Sequence, residues 1–339
     1  MARVAILGAG DMGTALTTPL AANGHDVRLW GTPLDDAIVA ALRTGEPHPR
    51  LGVAVPAGVL VFAAPEAAAA LAGADVALLA VTSDGVRPVV AALAGHLAAV
   101  PIVMTVAKGF DPGAANDEIL LLPAAIAEAT GAPIVGVGGP SKANEVARAS
   151  PTAVVFAGLP AAVARCRGLF ATSTYKVELS GDLIGVEIAA AMKNAYAIAL
   201  GVADGLEQRT GVPHHNLRAA LFPRAVAEMG RLIAACGGDR ATATGLAGSG
   251  DLQVTITSGR NRLLGERIGR GEPGVAGAAA LRAEGITVEG YAATDFGYRL
   301  SLGRVDPATG APLDLPLLRG LWSILYEDAP ALETLWAAA

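Results

Sequence analysis

Short blocks of mostly apolar residues recur along the first half of the chain, separated by longer segments with apolar residues at helical spacing. Blocks of this length and composition are typical of strands that are buried on both faces of a sheet. The pattern predicts strands at Arg3–Leu7, Asp26–Trp30, Val59–Ala63, Val76–Ala80, Pro101–Thr105, Pro133–Val137, Thr152–Ala157 and Tyr175–Leu179.

Helical patterns lie between most of these strands and predict helices at Gly13–Ala22, Val86–Leu97 and Asp117–Ala129. Strands that alternate with helices form a mostly parallel sheet with helices on both faces. The first half of the chain is therefore predicted to be an α/β domain with a doubly wound sheet.

The pattern changes near residue 180, where long alanine-rich helical segments begin, at Leu183–Leu206 and Asn216–Ala235. Shorter helices separated by glycine-rich turns follow them. A chain of 339 residues exceeds the usual size of one domain. We therefore predict an α/β domain at residues 1–180 and an all-helical domain at residues 181–339.

Composition and charge exclude several classes of protein. No uninterrupted apolar run of roughly 18 residues is present, so we expect no membrane insertion. A net charge of −6 without a basic patch argues against a nucleic-acid partner. The chain starts directly in a strand without an apolar export segment, and Cys166 and Cys236 form no CxxC pair. We therefore expect a cytoplasmic protein with two free thiols.

A G-x-G-x-x-G motif, GAGDMG, follows the first predicted strand and opens a helix. Gly8 permits a tight turn, Gly10 lets the backbone approach a pyrophosphate, and Gly13 allows the helix to pack closely on the strand. The pyrophosphate binds the unpaired N–H groups at the helix N-terminus. The motif predicts a site for NAD or NADP in the first domain.

The end of the second predicted strand bears on the choice of cofactor. Sites for NAD commonly carry an acidic residue there, which bonds the ribose 2′-hydroxyl. This chain has Thr32 near that position, which can donate to a 2′-phosphate, and Asp35 and Asp36 follow closely. These residues leave NAD and NADP both open.

Four further segments carry candidate chemistry for a ketone substrate. Lys108 and Ser141 follow predicted strands, at the edge of a parallel sheet where ligands bind. Lys193 lies in an almost wholly apolar helix, where a buried lysine is rare unless it is paired or functional, and Asp251 is its candidate partner. The fourth segment adds a guanidinium and an amide suited to a phosphate, from Arg260 and Asn261.

We expect no metal site. The adjacent histidines His214 and His215 point apart on a helix, and no cluster of carboxylates or cysteines accompanies them in the sequence.

Taken in order, seven segments resemble the bacterial NAD(P)-dependent glycerol-3-phosphate dehydrogenase family: GAGDMGTAL, AKGF, GGPSKANEVA, MKNAYAIALGVADGL, GLAGSGDL, GRNRLLG and VEGYAAT. The resemblance covers nearly the whole chain. It implies an N-terminal Rossmann domain, an all-helical C-terminal domain and a cleft between them. It also implies a homodimer and a small phosphorylated substrate, with dihydroxyacetone phosphate as the leading candidate.

The resemblance implies roles for individual residues. Lys193 is implied as the catalytic acid–base group, and we expect Asp251 to orient it. The implied substrate contacts are Lys108, Gly139, Ser141, Lys193, Asp251, Arg260 and Asn261. The implied cofactor contacts are Asp11, Met12, Lys108, Ala143, Arg260 and Glu289, which join Gly8, Gly10, Gly13 and Thr32 from the residue-level analysis.

The chain departs from the family pattern around the substrate. Lys142 stands where the family usually has an aromatic residue, Asn144 where it has a basic one, and Gly259 where it has a serine. The loop from Asp251 to Arg260 is also about two residues shorter than usual. A dehydrogenase of another polyol phosphate or of a 3-hydroxy acid is therefore an alternative. A non-catalytic NAD(P)-sensing protein is a further alternative, against which the presence of Lys193 argues.

Overall fold

The computed structural model describes residues 1–111, 120–257 and 259–339. Among these, Met1–Asp111 and Leu120–Leu183 form one compact unit, here called the sheet unit. Ile184–Ala339, without the undescribed residue 258, form a second compact unit, here called the helical unit.

The sheet unit is built on a large sheet and a small one. The large sheet comprises β1 (Arg3–Leu7), β2 (Asp26–Trp30), β3 (Leu60–Phe62), β4 (Val76–Leu79), β5 (Val103–Thr105), β8 (Ile134–Gly138), β9 (Thr152–Gly158) and β10 (Tyr175–Ser180). The strands β6 (Phe110–Asp111) and β7 (Leu120–Leu121) form a separate antiparallel pair.

The strand order in the large sheet is β10-β9-β8-β5-β4-β1-β2-β3. Neighbours are parallel except β8 and β9, which pair antiparallel, so β9 and β10 run opposite to the rest. The paired ends of β1 and β2 place Leu7 opposite Trp30 in the register. The glycine motif after β1 and the loop after β2 therefore leave the sheet at the same edge.

Helices cover both faces of this sheet. They are α1 (Asp11–Ala22), α2 (Asp36–Arg43), α3 (Ala67–Leu71), α4 (Ser83–Leu97), α5 (Leu122–Thr130), α6 (Ala143–Val146) and α7 (Pro160–Phe170). Successive side chains of a strand point to opposite faces. Accordingly, Val4 and Ile6 of β1 pack in one core with helix α1, whereas Ala5 and Leu7 pack in the other with helix α4.

The helical unit contains the remaining helices. They are α8 (Leu183–Thr210), α9 (His215–Ala235), α10 (Asp251–Thr257), α11 (Arg260–Gly269), α12 (Gly274–Ala283), α13 (Glu289–Ser301), α14 (Pro316–Tyr326) and α15 (Ala331–Ala338). A 3₁₀ turn at Arg240–Thr244 and a π turn at Leu246–Gly250 precede α10. Among the described residues, α8 is the one helix long and apolar enough to cross a membrane by length and composition, but 89% of its apolar window is buried inside the protein.

Helices α8 and α11 pack against each other through glycines. A Cβ atom at Gly201 would lie 2.5 Å from the carbonyl oxygen of Arg262, and one at Gly205 would overlap the backbone of Glu266. On the facing helix, side chains at Gly265 and Gly269 would overlap the backbone of α8. Because glycine lacks a Cβ, the two backbones approach more closely than larger residues would allow.

The predicted fold class is confirmed: a mostly parallel sheet with helices is followed by an all-helical region. The predicted helix at 117–129 needs correction, although its first residues lie outside the described part of the chain. Leu120–Leu121 is a strand, and α5 begins at Leu122 with Pro123 in its first turn. Proline favours this position because its missing N–H is not needed there. The predicted helix at 183–206 continues to Thr210, after which Gly211 adopts a φ of +71°.

Candidate active site

The glycine motif has the geometry that a dinucleotide requires. Gly8 has a φ of +117°, and a Cβ there would lie 2.6 Å from the carbonyl oxygen of Ala80. A Cβ at Gly13 would overlap the carbonyl oxygen of Gly8, so the start of α1 packs directly on the turn. At Gly10, by contrast, the nearest atom to a Cβ would be Arg50 Nη2, 4.0 Å away. The backbone at Gly10 is thus open to an approaching phosphate, and the loop fits a dinucleotide.

The carboxylate of Asp35, five residues after the end of β2, folds back to the loop that follows this strand. Asp35 Oδ2 accepts hydrogen bonds from the backbone N–H and the hydroxyl of Thr32, both at 2.9 Å. It also accepts from the N–H of Ala9 in the glycine motif, at 3.3 Å. The Thr32 hydroxyl, which the sequence suggested as a donor to a 2′-phosphate, therefore donates to Asp35 in this structure.

Residues of the predicted cofactor and substrate sets meet near the start of α1. The sulfur of Met12 lies 4.0 Å from Ser141 Oγ. Met12 and Ala143, which begins α6, pack against the same apolar core. The carboxylate of Asp11 accepts a hydrogen bond from Arg50 Nε at 2.8 Å. The loop after β8 and the N-terminus of α1 thus lie next to each other within the sheet unit.

Lys108 is fixed beside the loop that follows β8. Its Nζ donates a hydrogen bond to the carbonyl oxygen of Gly139 at 3.2 Å, and Gly139 has a φ of +111° that favours glycine. The segment after Lys108 is tied to α4, because Arg87 Nε donates to both carboxylate oxygens of the buried Asp111, at 3.2 and 3.0 Å. Lys108 and Gly139 are therefore brought together within the sheet unit.

The polar centre of the helical unit is Lys193 on α8, which is only 7% exposed. Its Nζ donates to Asp251 Oδ1 at 3.0 Å and to Thr255 Oγ1 at 2.9 Å. The Thr255 hydroxyl in turn donates to the carbonyl oxygen of Asp251 at 2.7 Å. The pairing of Lys193 with Asp251 that the sequence suggested is present.

Thr255 escaped the sequence analysis. It lies four residues after Asp251, so both side chains project from one face of α10. That spacing was the available signal, but a threonine in an amphipathic helix is too common to stand out.

A second polar network adjoins the first, because Asn194 follows Lys193 on α8. Asn194 Oδ1 accepts from Asn261 Nδ2 at 2.9 Å, and Asn194 Nδ2 donates to Glu289 Oε2 at 3.3 Å. Asn261 Oδ1 accepts from the N–H of Gly290 at 2.9 Å. Helices α8, α11 and α13 thus bring Asn261 and Glu289 together through an asparagine that the sequence analysis left without a role.

Arg260 stands apart from these networks. It is exposed, begins α11 directly before the buried Asn261, and its side chain forms no hydrogen bond or ion pair within the described part of the chain. A guanidinium at a helix N-terminus adds its charge to the positive end of the helix dipole. This end of α11 is therefore suited to an anionic group.

Gly259, where the family usually has a serine, lies close to the backbone of α10. A Cβ atom at Gly259 would lie 2.7 Å from the carbonyl oxygen of Thr255. A side chain at position 259 would thus collide with the backbone of Thr255, the residue whose hydroxyl contacts Lys193.

Among the described residues, no group of three or more histidine, cysteine, aspartate or glutamate side chains is placed to hold a metal ion. His214 precedes α9 and His215 begins it. The nearest carboxylate oxygen to His215 Nδ1 is that of Glu207, 3.9 Å away.

Comparison with known proteins agrees with this architecture. Residues 3–164 match the N-terminal model of NAD-dependent glycerol-3-phosphate dehydrogenase, and residues 182–335 match its C-terminal model. The NADP(+)-dependent glycerol-3-phosphate dehydrogenase of Archaeoglobus fulgidus is 38% identical over 348 residues, which cover 99% of this chain and 98% of the relative. The glycerol-3-phosphate dehydrogenase [NAD(P)+] of Thermus thermophilus is 42% identical over 292 residues, 85% of this chain and 84% of the relative.

A solved structure gives the same result. The crystal structure of glycerol-3-phosphate dehydrogenase from Coxiella burnetii superimposes with a TM-score of 0.83 and 32% sequence identity, covering 99% of this chain and 98% of that one. Both family models match, in chain order, and full-length relatives exceed 30% identity. This chain therefore belongs to the NAD-dependent glycerol-3-phosphate dehydrogenase family.

Proposed function

We propose that this protein is an NAD(P)-dependent sn-glycerol-3-phosphate dehydrogenase. It transfers a hydride reversibly between NAD(P)H and dihydroxyacetone phosphate, with Lys193 as the acid–base group. The observation that carries the proposal is the buried Lys193 ammonium, which a carboxylate and a hydroxyl hold at 3.0 and 2.9 Å. Burying an ammonium is costly, and a chain retains such a group where chemistry requires it.

The sheet unit supplies the residues that would hold the dinucleotide. The N–H groups after Gly10 and the positive end of α1 favour a pyrophosphate, and the missing Cβ at Gly10 leaves room for it. The other residues proposed to contact the cofactor are Gly8, Asp11, Met12, Gly13, Thr32, Lys108, Ala143, Arg260 and Glu289. When bound, the nicotinamide supplies or accepts the hydride, which is the difficult part of the chemistry.

The role of Lys193 is to hold and move a proton at Nζ. In ketone reduction, the ammonium donates a proton to the oxygen that becomes the hydroxyl group, and in alcohol oxidation the amine takes it back. Its positive charge also stabilises negative charge that develops on that oxygen. The amine is oriented by two hydrogen bonds, one to Asp251 and one to Thr255. A positioned general acid typically contributes a factor of about 10² to 10⁴.

The start of α11 is proposed to bind the substrate phosphate. Arg260 offers a planar guanidinium that matches a phosphate, and the helix N-terminus adds unpaired N–H groups. Asn261 has one amide hydrogen in the bond to Asn194 and its oxygen in the bond from Gly290, so its second amide hydrogen is the one assigned to substrate. In the sheet unit, Lys108, Gly139 and Ser141 are proposed as further substrate contacts.

The direct test is oxidation of NADH and NADPH by the purified protein with dihydroxyacetone phosphate. A panel of longer phosphorylated ketones and unphosphorylated 3-keto acids runs in parallel, because Lys142, Asn144 and Gly259 depart from the family pattern. We expect the highest kcat/KM with dihydroxyacetone phosphate. A higher kcat/KM with a longer ketone or with a keto acid would contradict the proposed substrate but not the dehydrogenase activity. Activity should persist in a metal chelator.

The family resemblance also supports two statements about the protein in the cell. We propose a homodimer and a cytoplasmic location. Light scattering coupled to size-exclusion chromatography tests the first, where a monomer at micromolar concentration would contradict it. Fractionation of the native cells tests the second.

A further inference from the structure

A buried histidine lies beneath the glycine motif. His48, in the segment between α2 and β3, is 0% exposed. Its Nδ1 accepts hydrogen bonds from the N–H groups of Arg50 and Leu51, at 3.2 and 3.3 Å. Because Nδ1 is an acceptor, the neutral ring carries its proton on Nε2. That nitrogen lies 3.3 Å from the carbonyl oxygen of Ala9.

Ala9 is the residue between the first two glycines of the motif, and it is held from two sides. Its N–H donates to Asp35, as described above, and its carbonyl oxygen accepts from the Thr14 hydroxyl at 2.9 Å as well as from His48. Glycine has little intrinsic preference for one backbone conformation. A loop with Gly8 and Gly10 on either side of Ala9 therefore depends on such contacts to keep its phosphate-binding shape.

The same segment brings a cation to the open side of the loop. Arg50 Nε pairs with Asp11, while Arg50 Nη2 lies beside the space where Gly10 has no Cβ. The Arg50 side chain is 62% exposed, and its terminal nitrogens have no hydrogen-bond acceptor within the described residues. A guanidinium with two such nitrogens matches the oxygens of a phosphate.

We propose that residues 48–51 form a strap on the glycine motif, in which His48 is a positioning residue and Arg50 binds a phosphate of the dinucleotide. The proposal rests on the proposed cofactor, and it adds two residues to the cofactor site. An ordinary surface pair between Arg50 and Asp11 would need neither a fully buried histidine behind it nor an open glycine in front of it.

Fluorescence titration with NADH and NADPH, without ketone, tests the role of Arg50. Arg50→Ala should raise the Kd about tenfold or more, since a charge-assisted hydrogen bond is lost. The matched control is Arg165→Ala, because Arg165 is also half-exposed and paired with one aspartate, Asp75, on the same unit. If the affinity for NADH and NADPH falls equally, Arg50 binds the pyrophosphate. If the affinity falls for NADPH alone, Arg50 binds the 2′-phosphate. Unchanged affinity for both would overturn the assignment.

The role of His48 is tested by two substitutions. His48→Ala should raise the Kd for NADH and for NADPH about tenfold. His48→Gln should recover part of this lost affinity, because the glutamine amide can donate a hydrogen bond from the position of Nε2. The control is Leu93→Ala, which removes a buried side chain of α4 from the second core of the sheet unit, where none of the described core residues belongs to the glycine motif. That variant should lose thermal stability and keep its Kd. If His48→Ala only lowers the melting temperature, the positioning role is wrong.

The titration also separates this proposal from the proposed function. If the wild-type protein binds NAD(P)H but does not reduce dihydroxyacetone phosphate, the proposed substrate is wrong. The role of residues 48–51 is then still decided by the titrations of the variants. Wild-type protein that binds neither cofactor would overturn both.

Discussion

Lys193 and Asp251 form an ion pair in the interior of the helical unit, where the lysine is 7% exposed and the aspartate 1%. A buried pair of this kind is weak evidence for stability, because desolvation offsets much of the Coulomb attraction. The acid–base role proposed for the lysine amine gives a better reason for a charged pair in an apolar helix.

Lys193→Met should lower kcat by a factor of about 10² to 10⁴ in both directions of the reaction, because the proton donor is lost. NADPH affinity, measured by fluorescence, should stay unchanged. Lys193→Arg keeps a charge beside Asp251 but releases its proton far less readily, and it should also be nearly inactive. Near-normal turnover by the methionine variant would reject the acid–base role.

Thr255→Val should reduce kcat roughly ten- to hundredfold, since a hydrogen bond to a charged group such as the Lys193 ammonium is worth about 1.5–3 kcal/mol. Valine preserves the shape of the side chain, so the effect reports the hydroxyl. Thr255→Ser restores that hydroxyl and should restore most of the rate. Steady-state kinetics at saturating cofactor measures this, and equal loss in the serine and valine variants would count against the hydroxyl.

Arg260→Ala should raise KM for the phosphorylated ketone roughly ten- to hundredfold while kcat changes little, because a charged hydrogen bond is worth about 1.5–3 kcal/mol. Arg270→Ala is the control, since Arg270 is an exposed arginine at the other end of the same helix, bonded to Gln208. An unchanged KM in the Arg260 variant would remove this residue from the phosphate site.

Gly201→Ala should destabilise the helical unit by about 1–3 kcal/mol, because the new methyl group would meet the Arg262 carbonyl oxygen at 2.5 Å. Gly95→Ala on α4 is the matched control, since nothing lies within 4 Å of its added Cβ. Alanine favours helix over glycine, so the control should gain about 0.5–1 kcal/mol. Chemical denaturation measures both, and equal effects would contradict a close α8–α11 contact.

Glu228 makes a specific contribution to pH-dependent stability. Its buried carboxylate accepts from the N–H groups of Leu317 and Leu318, at 2.6 and 2.9 Å, and from the Tyr196 hydroxyl at 3.1 Å. Burial raises the pKa of Glu228 above its ordinary value of 4.5, although these hydrogen bonds oppose the shift. The folded protein therefore binds this proton more tightly than the unfolded chain does.

Because the folded pKa of Glu228 is raised, its favourable contribution is complete below the unfolded pKa and is lost as pH rises through the folded pKa. The free energy of unfolding of wild type minus that of Glu228→Gln should thus be largest near pH 4 and decline toward neutrality. Glutamine also leaves one backbone N–H without its acceptor, at a cost of about 1–3 kcal/mol. Urea titrations across this range measure the difference, and a rise with pH would contradict the shift.

The sequence by itself determined most of the strands and helices and suggested several of the residues that the structure brings together. Alternation of short apolar blocks and helical segments specified the strands from Arg3–Leu7 to Tyr175–Leu179, because burial on both faces leaves a local pattern. The glycine spacing of GAGDMG specified the turn, because the positions that need glycine lie within six consecutive residues. An isolated lysine in an apolar helix pointed to Lys193.

Only the tertiary structure decided which distant side chains meet. Thr255 completes the lysine site 62 residues away along the chain, and Asn194 links Asn261 to Glu289, 67 and 95 residues from it. Asp35 and His48 reach the glycine motif from separate loops after β2. Hydrogen bonds require matched positions within a few tenths of an ångström, and helix packing sets those positions across long separations. The hydrophobic pattern of the sequence does not indicate which distant residues form these hydrogen bonds.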